Sequence, residues 1–360
     1  MDDAFLAPLL LPANPVYRFY RGGALLEAFR GHPDAVDDVF PEDWVGSVTP
    51  AANPPAHRRV DEGLSVVEAA GTVALIADLV REDPVAVAGG RMVDAMGSTT
   101  GVLVKLLDAR ERLPIHCHPT RPFARDVLGS PFGKAEAWIV LATRHLPGAE
   151  PPNVRVGFGA DITREELEGL VTRQDRAELL RRMVSIPVTA GSVIFVNPGL
   201  PHAIGAGVFL VEVQEPTDFS ILAEWDGYPI EPEAAHLGRG WDVMLDAFDR
   251  SAMTEKRLAD LMTPPELKVD RPELTMSSLL CRASRTYFNA LRVEARGPAK
   301  WPLPGTYAVA IVTNGRGRVR NRYGEVAVSR GDSFVLFSGA PPAVIDGTVE
   351  MVVCTPGGES

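Results

Sequence analysis

The chain has 360 residues with 36 Lys+Arg against 47 Asp+Glu, a formal net charge of −11, and is 46% hydrophobic and 23% charged. These values describe a folded chain rather than a disordered one. The acidic balance, with no sustained run of Lys or Arg, excludes a nucleic-acid or anionic-membrane surface as the main partner. No apolar run is long enough to cross a bilayer, and the acidic start MDDAFLAPLL does not read as a signal peptide. Three scattered cysteines (Cys117, Cys281, Cys354) make no disulfide framework, so a reducing cytoplasm is expected.

The 33 Gly and 31 Pro are spread along the chain, as suits many short strands joined by turns. Residues 1–60 mix short apolar runs with turn residues. Apolar spacings of three and four predict a helical stretch at about 75–98. The run VLVKLLDA reads as a strand ending at Asp108-Ala109, followed by the short segment Ile115 to His118 closed by Pro119. A loop carrying Arg121 and Arg125 leads to a strand beginning near Gly133. Residues 161–183 are helical, opened by Thr163 and Glu166 at the capping-box spacing. Strands VIFV and VFLVEVQE flank Pro198-Gly199 and His202, and residues 240–263 return to helix.

Pro264-Pro265 breaks that helix, and the period then becomes two. TYFNALRVEA, TYAVAIVTNG, RVRNRY, GEVAVS and DSFVLFS read as strands separated by Gly-Arg-Gly, Tyr-Gly and Arg-Gly-Asp turns. The expected organisation is a unit of residues 1–265 and a β unit of residues 266–360. The second contains no histidine, because His236 is the last in the chain.

His116 and His118 are two apart in a β segment, so both imidazoles project from one face, as two ligands of one metal require. Glu136 lies eighteen residues after His118 in an otherwise apolar run, where a carboxylate is costly unless paired or bound to a cation. His202 precedes an apolar strand. Three imidazoles and one carboxylate suit Zn²⁺, Mn²⁺, Fe²⁺ or Ni²⁺. His32, His57, His145 and His236 read as surface or hydrogen-bonding residues, and Cys117 alternates to the opposite face as core. Glu212, in an apolar strand, is a candidate base or a group that orients His202. Lys134 is a candidate donor to an oxyanion, and Asp218 reads as a turn cap.

H-x-H…E…H on β-strands is the cupin metal pattern. Leu103 to Ala109, His118-Pro119, Gly133-Lys134-x-Glu136-x-Trp138, Pro198-Gly199-x-x-His202-Ala203-Ile204 and Val211-Glu212-x-Gln214-x-x-x-Asp218 together resemble the class I mannose-6-phosphate isomerase family, in order through about 100–220. Weaker likenesses occur at Arg21-Gly22-Gly23 and from Glu42 to Ser47. The resemblance implies a mainly β fold with helical insertions: a cupin-type β-barrel, or jelly roll, plus a second, metal-free cupin-like C-terminal domain. It implies zinc held by His118, Glu136 and His202. The implied activity is aldose–ketose isomerisation of mannose 6-phosphate and fructose 6-phosphate through a cis-enediol. Three positions depart from the family: His116 stands for a Gln, Pro114 for a Ser that helps hold phosphate, and Leu222 for an Arg. Arg121, Arg125 and Lys134 are then the candidate phosphate holders. The alternatives are an isomerase of a non-phosphorylated sugar, a three-His, one-Glu cupin dioxygenase using Fe²⁺, and a non-catalytic sugar-binding protein.

Overall fold

A computed structural model describes residues 1–358. Two antiparallel sheets form a barrel in the first part of the chain. One runs, in spatial order, Val193–Val196, Glu136–Thr143, Val208–Gln214, Leu103–Ala109, Glu42–Val45 and Pro15–Val16. The other runs Met183–Pro187, Asn153–Phe158, His202–Ile204, His116–Cys117 and Ile221–Leu222.

Alternation decides what each face of the six-stranded sheet carries. Register pairs Trp44 with Lys105, Lys105 with Glu212, and Glu212 with Trp138, so these four side chains form one row across four strands. The next row along holds Leu103, Gln214, Glu136 and Val196. On the intervening positions Val45, Val104, Val213 and Ala137 are apolar and buried. They join one core cluster with Tyr307, Val309, Val335 and Val352 of the C-terminal sheet, so the six-stranded sheet is buried on both faces.

Helices lie outside the barrel. Ile76–Glu82, Pro84–Ala88 and Gly90–Met96 precede the strand Leu103–Ala109. Arg164–Thr172 and Arg176–Arg182 connect Asn153–Phe158 to Met183–Pro187, neighbouring strands of the five-stranded sheet, the first helix opened by a capping box between Thr163 and Glu166. Asp175 caps the second, which separates two short helices where a single amphipathic run suggested continuity. They cover a core of Ile115, Cys117, Phe158, Leu167, Leu179 and Ala203 on the five-stranded sheet.

The C-terminal sheet has nine antiparallel strands, and one of them, Leu9–Leu10, comes from the start of the chain. Tyr307 Oη donates to the Gly46 carbonyl at 2.6 Å, a second tie between the two parts of the chain. The Tyr-Gly and Arg-Gly-Asp segments are turns: Asn321 pairs with Gly324, and Asp332 N–H donates to the Ser329 carbonyl. The Gly-Arg-Gly segment is not a turn. A single strand runs Ala308–Asn321 straight through it, with an irregularity between Val312 and Asn314. A Cβ on Gly315 would lie 2.1 Å from the Thr348 carbonyl oxygen, and one on Gly317 would lie 2.4 Å from that of Asp346. The two glycines permit close approach of a neighbouring strand, a role that glycine spacing alone does not separate from a turn.

Gly315 and Gly297 share nearly the same left-handed backbone, φ 80° and 81°, but nothing stands within 4 Å of a Cβ at Gly297. Gly297→Ala is expected to cost about 1–2 kcal/mol, the left-handed penalty alone. Gly315→Ala should cost a further ~1–3 kcal/mol from the steric clash. Urea unfolding of the two variants side by side measures the difference.

Candidate metal centre

The five-stranded sheet places two histidines directly opposite each other. His202 pairs in register with His116, which on its other side pairs with Leu222. Residues paired across strands project from the same face. The His116 and His202 rings accordingly lie 4.1 Å apart, centroid to centroid. His118, two residues beyond His116, brings its ring to 4.9 Å from His116 and 4.8 Å from His202. Its backbone is held by the turn before His202, since Gly199 N–H donates to the His118 carbonyl at 2.7 Å. Glu136 comes from the other sheet, at the start of its strand beside Gln214. One ligand atom from each of His116, His118, Glu136 and His202 lies within 4.8 Å of all the others. All four side chains are buried.

Hydrogen bonds orient two of the rings. His116 Nδ1 donates to the Pro114 carbonyl at 2.8 Å and His202 Nδ1 to the Leu200 carbonyl at 2.7 Å. A carbonyl can only accept, so Nδ1 carries the proton and Nε2 presents its lone pair to the cluster. His202 Nε2 is 3.2 Å from Glu136 Oε1, and His118 Nε2 is 2.9 Å from Oε2. Burial, together with the neighbouring His202 and His118, holds the His116 imidazole well below its ordinary pKa. Burial and the Lys134 charge lower His118 to about 3. For Glu136 burial acts upward, but His118 and Lys134 outweigh it and hold the carboxyl well below its usual range. Neutral imidazoles around an ionised carboxylate are the protonation states that bind a divalent cation.

The residues fit such an ion. Both ring nitrogens of His118, His202 Nε2 and Glu136 Oε2 are buried with no hydrogen-bond partner among the described residues. Unpartnered buried polar atoms are costly, and a cation shared among the imidazole lone pairs and the carboxylate removes the cost for those acceptors.

Lys134 stands beside the cluster, its Nζ 3.4 Å from Glu136 Oε2. Its strand entry is set by Lys134 N–H donating to the Pro119 carbonyl, and by Gly133, where a Cβ would lie 2.5 Å from that same oxygen. Glu212 faces the barrel interior with Lys105 Nζ 2.9 Å from its Oε1. Burial raises the Glu212 pKa, an effect partly offset by Lys105. Lys105 also approaches Glu42 at 3.5 Å. Glu42 in turn accepts from Tyr20 Oη at 2.6 Å and Trp44 Nε1 at 2.7 Å, and pairs with Arg18 Nε at 2.9 Å. Arg18 closes the chain on Asp218 through two hydrogen bonds of 3.0 and 3.2 Å.

Sequence reasoning had missed Arg18, Glu42 and Lys105. A lysine in the middle of the apolar strand Leu103–Ala109 was the available signal for Lys105; nothing local marked Arg18. Asp218, read as a turn cap, does accept from Ala52 N–H, but its main partner is Arg18. The structure brings Lys134 and Glu212 towards the four candidate ligands. It commits Arg121 elsewhere: Nε donates to Glu215 at 2.6 Å and the guanidinium lies over the Tyr287 ring. Arg125 is exposed and bonded to its neighbour Asp126.

No model of a known protein family matches the chain. Its sequence is nonetheless similar to curated proteins: the mannose-6-phosphate isomerase of Streptococcus mutans is 26% identical over 72% of this chain and 75% of that protein. The crystal structure of the mannose 6-phosphate isomerase from Bacillus subtilis superposes with a TM-score of 0.74 at 19% identity, covering 97% of this chain and 99% of that one. A mannose 6-phosphate isomerase bound with zinc and yttrium superposes with a TM-score of 0.69 at 13% identity, over 97% and 99% of the two chains. The chain is thus similar in sequence to curated mannose-6-phosphate isomerases and shares the fold of the solved ones, mainly β with helical insertions.

The depressed histidines make stability of the metal-free protein pH-dependent. Above about pH 6.5 neither state protonates His116 or His118. As pH falls from there toward 3, the unfolded chain binds protons that the folded chain refuses, and stability is lost. The expected slope is on the order of 1.4 kcal/mol per pH unit for each such histidine. Urea unfolding at pH 7.5, 6.0 and 5.0 checks it, and His118→Asn should flatten the dependence.

Proposed function

We propose that this protein is a metal-dependent aldose–ketose isomerase of the mannose-6-phosphate isomerase type, with mannose 6-phosphate and fructose 6-phosphate as the first pair to assay. The convergence of His116, His118, Glu136 and His202 on one point, with Lys134 and Glu212 alongside, carries this reading. Zinc is the metal proposed, because three imidazoles and one carboxylate suit it and a structural relative is bound with zinc. When bound, the ion would act as a Lewis acid on the sugar oxygens as charge develops there.

The chain's own residues then have distinct tasks. Isomerisation removes a proton from C2 of the aldose and returns one to C1, with a cis-enediol between. Glu212 is the proposed proton carrier. Its raised pKa brings the carboxyl closer to the pH at which it can both accept and return a proton, and Lys105 at 2.9 Å fixes its orientation. Lys134 is proposed to donate a hydrogen bond to the oxyanion, since among the described residues it is the buried cation whose carboxylate partner, Glu136, is a candidate ligand. Trp44 and Trp138 flank the Lys105–Glu212 pair and keep water from it.

A cytoplasmic location is supported by the three buried, unpaired cysteines. No helix among the described residues is long and apolar enough to cross a membrane.

Zinc-loaded protein in D₂O should exchange the C2 proton of its sugar substrate, followed by NMR. Glu212→Gln, nearly isosteric, should retain metal content and lose roughly 10²–10⁴-fold in exchange rate. Oxygen uptake without proton exchange in an iron-loaded sample would overturn the isomerase reading.

A further inference from the structure

A cavity of about 460 Å³ opens at the seam between the first part of the chain and the C-terminal sheet, away from the histidines. That volume and a position between two packed units are usual for a small-molecule site. Its floor is apolar and comes from both sides of the seam. Phe29 and Phe209 belong to the first part, and Leu279 and Val352 to the second; all four are buried. Phe29 and Phe209 pack against each other with ring centroids 5.5 Å apart.

Charged groups rise over this floor. Arg292 stands opposite Val352 in register, and Glu350 is two residues from Val352, so all three project from one face. Glu350 accepts from Thr313 Oγ1 at 3.0 Å. Arg330 enters from the turn at the rim, its guanidinium 5.0 Å from the centre of the Phe29 ring. Its backbone is fixed on both sides. Arg330 N–H donates to the Gly315 carbonyl at 2.9 Å, and Arg30 Nη1 donates to the Gly331 carbonyl at 3.0 Å. Gly331 itself has no room for a side chain, since a Cβ there would lie 2.3 Å from the Phe29 carbonyl oxygen. Among the described residues, neither Arg292 nor Arg330 has a carboxylate partner, although Glu350 borders the same cavity and Glu294 stands opposite Glu350 in register. Most other arginines near the seam are spent: Arg30 on Asp43, Arg144 on Asp37 and Asp108, Arg121 on Glu215.

We propose that this cavity is a binding site, separate from the metal centre, for a small organic anion with a flat apolar body. Arg292 and Arg330 hold the carboxylate or phosphate end, because a guanidinium presents paired donors to either group. Phe29, Phe209, Leu279 and Val352 cover the flat body, and Glu350 accepts from a donor on it. The ligand spans the seam and so ties the first part of the chain to the C-terminal sheet. The proposal makes no use of the isomerase reading, and either can fail without the other.

Calorimetric titration of the full-length protein, with and without zinc, tests the site with two probes: 5′-AMP for a phosphate end and indole-3-acetate for a carboxylate end. At least one should bind with a Kd of roughly 0.01–1 mM, equally in both metal states, and more weakly as salt is raised. Inorganic phosphate and adenosine, each lacking half of the recognition, should bind at least about tenfold more weakly. Arg292→Ala should weaken the bound probe at least about tenfold. Ala28 is exposed at the rim, so Ala28→Trp blocks the cavity without changing charge or core and should abolish binding at an unchanged unfolding midpoint. Binding of either probe with this pattern supports the site and tells which anionic end it takes. Absence of binding by both probes overturns the proposal. So does an affinity that is unchanged in Arg292→Ala and Ala28→Trp, or displacement of the probe by mannose 6-phosphate, which would put the anion at the metal centre.

Discussion

The barrel interior is organised by the requirement that its buried charges be paired. Arg18, Lys105 and Lys134 alternate with Asp218, Glu42, Glu212 and Glu136, all of them inside the barrel. An isolated charge in such surroundings is strongly unfavourable, whereas an alternating series is tolerable because each ion faces an opposite one. Its centre, Lys105 and Glu212, is a register pair of the six-stranded sheet, so there the sheet pairing and the electrostatics specify one another. A one-residue slip of Leu103–Ala109 would carry Lys105 to the face packed on Tyr307 and Val309 and leave Glu42 and Glu212 without their shared cation. The carboxylates outnumber the cations in this set, and Glu136, at the end of the series, stands among neutral imidazoles. That imbalance is what makes a divalent cation fit there.

The C-terminal sheet contributes to this without supplying a ligand. Its strands cover the outer face of the six-stranded sheet and so allow that sheet to be apolar on one side and charged on the other, with both sides dry. The strand Leu9–Leu10 pairs into it, and Tyr307 bonds to the backbone just after Trp44. The row Trp44–Lys105–Glu212–Trp138 is therefore supported from behind by Tyr307, 261 positions from the Gly46 carbonyl it bonds. The absence of histidine from this part of the chain is consistent with a supporting role.

The candidate metal ligands and the charged row differ in how they could be recognised. His116 and His118 announce themselves through local spacing, and Glu136 through being a carboxylate in an apolar strand. His202 adds a histidine before another strand. Residues of this kind carry their signal in their own neighbourhood. Arg18 and Glu42 do not: each becomes informative only when strand order places it beside Lys105 or Asp218. The Gly-Arg-Gly segment at 315–317 failed in the opposite sense. Its local signal is a turn, and the tertiary fact that overrides it is the carbonyl of Thr348 lying where a Cβ would be. Arg121 looked free in sequence because its partner Glu215, ninety-four residues away, cannot be read from composition.

The amino-acid sequence alone determined the class of this protein: a predominantly β chain with a candidate donor set of three imidazoles and one carboxylate. Those follow from periodicity and residue chemistry, which are local. The tertiary structure decided which side chains share a face, because register is a property of pairs of strands. It brought Trp44, Lys105, Glu212 and Trp138 into one row, put Leu222 against His116, and left Trp138 and Gln214 with unsatisfied polar atoms in the interior. Charge pairing acts through space over a few ångströms, and only the folded chain states which groups are that close.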